Sequence, residues 1–112
     1  VRAAYGAVKS AVNMLTASLR VELKGTHPGI HVTLLLPGVV ATDFGTNSLG
    51  VGIVDNRKLP GAQPVEGAAR AIVDVIENPR PEAYTSELIA DVVARYLREP
   101  GVVEAEIASR LH

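Results

Sequence analysis

The segment IHVTLLL at 30–36 most narrows the folds open to this chain. It is a short, nearly unbroken apolar run with β-branched members, bounded by Gly29 before it and Pro37-Gly38 after it. A strand with one wet face alternates apolar and polar residues. This run does not alternate, so it reads as a strand covered on both faces, as in a parallel sheet. Pro64 suits the first position of a helix over 64–78, whose buried face is expected to be Val65, Ala69, Ile72 and Ile76. Asn78-Pro79 ends that helix, and EAYTSE at 82–87 follows as a second, weaker strand. Strand, helix and strand in this order make a βαβ unit with a parallel pair.

Helices flank the unit. From 4 to 24, Val8, Val12, Leu15, Leu19 and Leu23 form one apolar stripe, and the smaller Ala4, Ala7, Ala11 and Met14 form a second. A helix with two stripes is expected to be buried on two sides, one against the sheet and one against another partner. Gly25 and the HPG turn at 27–29 stop it. A further helix is expected over 88–99, with Leu88, Val92, Tyr96 on one row and Ile89, Val93, Leu97 on the next. Pro100-Gly101 should stop it, and the tail at 102–112 should form one more short helix through Val103, Ile107 and Leu111. The fold class is therefore α/β. Two strands are too few for a stable doubly wound sheet, so the 112 residues are expected to be one part of a larger sheet.

Composition removes several function classes. The chain is 47% apolar and must bury a core, but only 4% aromatic, unlike proteins that stack bases on aromatic platforms. Net charge is −1, with lysine and arginine scattered, so nucleic-acid binding is disfavoured. No apolar stretch approaches the ~20 residues that span a bilayer, and no signal peptide is visible. No membrane association and a cytoplasmic location are therefore expected. With no cysteine there are no disulfides or thiolate metal sites. His27 and His31 are separated by a Pro-Gly turn and read as surface residues, so no metal site is expected. After the Pro-Gly loop that opens the segment 37–63, the chain from Gly45 to Gln63 is rich in Gly, Asn, Asp and Ser and contains no sustained period. A stretch of that length in a compact domain is usually a binding loop or lid.

Tyr5 and Lys9 are the chemical candidates. Four residues apart on a helix, their side chains share one face, roughly 5–6 Å apart at Cβ. A phenol titrates near ~10, and a neighbouring ammonium favours the phenolate and brings it toward neutral working pH. Such a pair can exchange a proton with a substrate hydroxyl or carbonyl. By spacing alone, Lys9 reads rather as a solvated helix lysine and Tyr5 as an end-of-helix aromatic. Pro37-Gly38 alone reads rather as a plain strand-ending turn.

Taken together, YGAVKSAV, the strand HVTLLLPG and Thr42 four residues after Gly38 resemble the short-chain dehydrogenase/reductase family. PVEGAARAIVDVIENP and AYTS resemble that family's penultimate helix and last strand. The resemblance implies that residues 1–112 are the C-terminal portion of a single Rossmann-like domain with a doubly wound parallel sheet. It implies an oxidoreductase that moves hydride between NAD or NADP and a small carbonyl or alcohol substrate. Tyr5 would be the acid–base. Lys9 would favour its phenolate and hydrogen-bond the nicotinamide ribose. Pro37, Gly38, the amides near Val40 and the Thr42 hydroxyl would meet the nicotinamide end of the cofactor. Residues 43–63 would form the substrate loop, with Asp43 either lining a pocket or capping the loop.

The departures are as informative. The family's glycine-rich phosphate loop follows its first strand, and these 112 residues contain none. GVGIVD at 50–55 has Asp55 where a third glycine belongs. Ser10 cannot supply the family's serine, being roughly 140° round the helix from Tyr5. The 112 residues alone are therefore expected to lack reductase activity and NAD(P)H binding. The alternative is a non-catalytic fragment or oligomerisation module. The resemblance also implies a homo-oligomer, formed through the small-residue stripe of helix 4–24.

Overall fold

The computed structural model describes residues 2–47 and 54–110. Its elements run α1 (Arg2–Thr26), β1 (Leu34–Leu36), a 3-10 turn (Asn56–Lys58), α2 (Val65–Glu77), β2 (Glu82–Tyr84), α3 (Glu87–Arg98) and α4 (Pro100–Ser109). β1 and β2 are parallel and adjacent, with Leu34 opposite Glu82, Leu35 opposite Ala83 and Leu36 opposite Tyr84. The result is a mixed α/β fold on a two-strand parallel sheet, compatible with part of a Rossmann-like domain.

The strand expected over 30–36 narrows to three residues. Extending the register backwards sets Thr33 opposite Pro81 and His31 opposite Pro79. Proline has no N–H to give a ladder. Ile30 instead donates to the His27 carbonyl in a turn, at 2.9 Å. The Thr33 hydroxyl reaches the Arg80 carbonyl at 2.6 Å. β2 also stops before 87, because Ser86 is already the N-cap of α3. Pro64 is the N-cap of α2 rather than its first residue.

Pro100 ends α3 and also starts α4, with Glu99 alone between them. A proline without its N–H is at home in a first turn. α3 and α4 therefore form a tight hairpin. Arg95 pairs with Glu106 through both terminal guanidinium nitrogens, Nη1 and Nη2, and the Tyr96 hydroxyl donates to Glu104 at 3.0 Å. Leu111 lies outside the described residues, as does most of GVGIVD.

Among the described residues the buried side chains are few and small: Ala68 on α2, Ala83 on β2 at 2% exposure, and Val103 on α4 at 6%. The faces expected to be buried are not the ones that are. On α2 the inward row is Ala68 with half-buried Ala71 and Val75, while Val65, Ala69, Ile72 and Ile76 are exposed. On α3 Ile89 and Val93 are half-buried, whereas Leu88, Val92, Tyr96 and Leu97 are exposed. On α1 Ser10, Asn13, Met14 and Ala17 line a gap over the sheet. The stripe of Val8, Val12, Leu15 and Leu19 turns outward, so α1 is not buried on two sides. Small residues let a helix backbone come close to the sheet, and the bulkier rows then point away from it.

Candidate active site

α1 runs antiparallel to β1. Its late residues Arg20 and Lys24 lie beside Ile30–Thr33, and Ser10 and Asn13 lie beside Leu36 and Tyr84. The helix is pinned where the Arg20 guanidinium donates to the Pro81 carbonyl, at 2.9 Å. From Arg20 back to Tyr5 the helix rises roughly 22 Å, while the paired strands cover only about 10 Å. Tyr5 and Lys9 therefore stand beyond the carboxyl end of the sheet, the end at which open α/β sheets take ligands.

Tyr5 is 57% exposed, and its hydroxyl has no hydrogen-bond partner among the described residues. The Lys9 ammonium sits over the Tyr5 ring, with Nζ 5.5 Å from the ring centroid. That is a cation–π approach, which holds the two side chains together without tying up the hydroxyl. The first turns of α1 thus present a phenol oxygen and an ammonium to solvent side by side.

The Pro37-Gly38 loop is built differently. Gly38 donates its N–H to Thr85 Oγ1 at 3.2 Å, and the Gln63 side-chain amide donates to the same oxygen. Thr85 was not singled out in the sequence; its position just past the end of β2 was the available signal. Val40 and Gln63 form a parallel bridge, with Ala41 N to Gln63 O and Gln63 N to Val39 O both at 2.9 Å. This returns the chain to the loop and holds the backbone about Val40. The absence of a side chain at Gly38 serves Ile89 of α3: an added Cβ would lie 2.7 Å from its Cγ1. Gly38 is thus a packing glycine here, and its amide is already engaged.

Thr42 works locally. Its hydroxyl donates to the Val40 carbonyl and accepts from the Phe44 amide, both at 3.4 Å. It opens a turn in which Asn47 N–H reaches the Asp43 carbonyl at 3.0 Å. Asp43 ties this turn to the 3-10 segment, accepting from Arg57 Nη2 at 2.6 Å. Arg57 also bonds Asp55, at 3.0 Å, and this holds the Asp55 carboxyl below the usual carboxylate range and raises Arg57. Gly45 lies under the same clamp, since a Cβ there would meet the Val54 carbonyl oxygen at 1.9 Å. Asp43 is therefore a loop-fastening residue, and residues 48–53 between these anchors lie outside the described residues. Pro37 is exposed at the head of the loop.

The site residues thus fall into two groups, Tyr5 with Lys9 on α1 and Pro37, Gly38, Val40 and Thr42 on the loop. No hydrogen bond among the described residues joins them. The α1 pair fits the nicotinamide end of a dinucleotide in its chemistry, a free phenol oxygen beside a cation. The loop fits in position but offers Gly38 no open cradle. Tyr84 and Tyr96 are engaged by carboxylates. Partial burial first, and Glu82 second, push the Tyr84 phenol up, and the bond to Glu104 pushes Tyr96 up. Among the described residues there is no cluster of three metal-ligating side chains, and no helix is long and apolar enough to cross a membrane.

The family model described as short chain dehydrogenase matches residues 1–49. That stretch holds all six residues of the two groups, and the match does not extend over α2, β2, α3 or α4. No curated protein and no solved structure matches the chain. Over residues 1–49 the chain is thus similar to the short-chain dehydrogenase family, whose members are in general NAD(P)-dependent oxidoreductases.

Proposed function

We propose that this chain supplies the proton-transfer helix of an NAD(P)-dependent oxidoreductase acting on a small carbonyl or alcohol. The observation that carries this reading is the Tyr5–Lys9 pair, exposed on one helix face beyond the carboxyl end of a parallel sheet. Bound NAD(P) would supply hydride transfer. Tyr5 donates its hydroxyl proton to a substrate oxygen, or takes one from it in the opposite direction. Lys9 counters negative charge that develops at the phenol oxygen and reaches the cofactor ribose. Pro37, Gly38 and the backbone about Val40 and Thr42 border the nicotinamide end. The residues of 43–63 border the substrate.

Positioned acid–base groups contribute about 10²- to 10⁴-fold in rate. In an enzyme that carries a cofactor-binding half together with these residues, Tyr5→Phe should therefore cut turnover by that factor while circular dichroism stays unchanged. Turnover is read from NAD(P)H absorbance with a panel of ketones and alcohols. Near-normal turnover in the variant removes Tyr5 from the reaction.

A second reading is an association module that does no chemistry by itself. It is favoured by the exposed stripe Val8, Val12, Leu15 and Leu19, an apolar face rarely left to water over such a length. The two readings are compatible if α1 pairs with its copy about a two-fold axis. The small-residue stripe of Ala4, Ala7, Ala11 and Met14 is exposed as well, Met14 at 69%, and offers a second surface for such pairing.

A further inference from the structure

At the amino end of the sheet, away from Tyr5 and the Pro37-Gly38 loop, lies an open groove of about 500 Å³. It is walled by the last turns of α1 and by the segments that enter β1 and β2. Its lining is mostly apolar, with Val21, Ile30 and Val32 beside the proline rings that deny β1 a longer ladder. Arg20, Lys24 and His31 stand on its walls, and no acidic side chain lines it.

The charges there are uncompensated. Arg20 donates one N–H to the Pro81 carbonyl, which fixes the guanidinium beside the groove without neutralising it. None of the ion pairs among the described residues includes Arg20, Lys24 or His31. Arg80, the remaining cation of the lining, is paired with Asp74 at 2.6 Å. The carboxyl-terminal dipole of α1 opposes an anion here. Two of its last carbonyls are already occupied, Glu22 O by the Thr26 hydroxyl and Leu23 O by the His27 amide.

We propose that this groove binds a small amphiphilic anion, an aliphatic carboxylate whose chain lies on Val21, Ile30 and Val32 and whose charge meets Arg20 and Lys24. A mostly apolar pocket with a few convergent polar groups is the usual form of a small-molecule site. Arginine's planar fork matches a carboxylate, and the bond is stronger where apolar walls displace water. The site is separate from the Tyr5–Lys9 pair and does not depend on it.

The test is calorimetric titration of the chain with decanoate, decanol and acetate. Decanoate should bind saturably, and both the uncharged chain and the chainless charge at least ~10-fold more weakly, as the loss of a charge-assisted bond implies. Lys24→Gln should weaken decanoate binding about 10-fold, and Arg20→Gln by at least as much. Lys24 makes no bond that the fold needs, so it remains a clean variant if Arg20→Gln loosens α1. Tyr5→Phe and Arg98→Gln should leave the titration unchanged. Failure of decanoate to saturate at millimolar concentration overturns the proposal. So does equal binding of decanol, which would mark a mere apolar patch, or equal binding of acetate, which would mark a mere cationic one. Indifference to Lys24→Gln with the fold intact also overturns it.

Discussion

α1 and the α3–α4 hairpin carry the same kind of apolar signal and meet different fates. In the hairpin, Glu99 alone joins two helices, so each lies within reach of the other. Val103 is buried there, Arg95 and Glu106 pair across the helices, and Ile89 fills the space left by Gly38. α1 is twice as long as either helix, is held at Arg20, and carries Leu15 at 68% exposure. Amphipathicity states that a helix has a face to cover. It does not state that the same chain covers it. Where the connection is short, local geometry supplies a partner for one row, Ile89, Val93 and Val103, and still leaves Leu88, Val92 and Leu97 outside. Where a helix projects past a two-strand sheet, its outer stripe and its reactive pair both stand in solvent.

The sharpest way to break this comparison is at Tyr5. If α1 is exposed for chemistry, Tyr5→Phe should lower turnover by about 10²–10⁴-fold in an enzyme that also carries the cofactor-binding half, and should shift unfolding by less than about 0.5 kcal/mol, as surface changes usually do. A large loss of stability would mean that α1 is packed.

Val103→Ala and Leu15→Ala form a matched pair of cuts. Truncating buried Val103 should cost about 2 kcal/mol in urea unfolding, from lost transfer energy and the cavity left behind. Truncating Leu15 should cost a small fraction of that in a monomer, while lowering the oligomeric mass seen in sedimentation if α1 meets its copy. Equal costs for the two would erase the distinction between the helices.

Gly45→Ala probes the loop between these regions. The new Cβ would collide with the Val54 carbonyl, so the clamp of Asp43, Arg57 and Asp55 must shift. Overpacking of this kind costs about 1–2 kcal/mol, and an unchanged melting midpoint would show that the loop gives freely.

The smallest effect is at the hairpin's ion pair. The bond to Arg95 holds the Glu106 carboxyl below its ordinary range. A depressed carboxylate adds stability above its unfolded value, near ~4.3, and loses it as pH falls through its folded value. Glu106→Gln should therefore be slightly less stable than the parent at neutral pH. The gap should close on acidification, and it should shrink in high salt, since the pair is solvent-exposed. A gap that persists at pH 2 would assign the effect to packing.

The helices and the βαβ order were legible because apolar periodicity is a local property of the chain. Tyr5 and Lys9 could be paired in advance for the same reason, four residues on a helix being one turn. The inward rows were not legible. Val65, Ile72 and Ile76 looked like the buried side of α2, yet Ala68 is the residue that is buried. Adjacent rows on one helix differ by a fraction of a turn, and only the partner surface chooses between them. The length of β1 depended on a register, which matched its first residues with Pro79 and Pro81.

The sequence by itself determined what each segment is and which residue types it offers: a helix that opens on a phenol and an amine, an apolar strand that ends in Pro-Gly, a crossover helix. These follow from interactions within a few residues. Only the tertiary structure decided that Thr85 and Gln63 hold the Gly38 loop, that Ile89 occupies the glycine's empty side, and that Arg20 and Lys24 face an apolar groove. Those residues lie tens of positions apart, and no local rule relates them. They meet because the crossover through α2 makes β1 and β2 neighbours, which sets the end of one strand beside the end of the other.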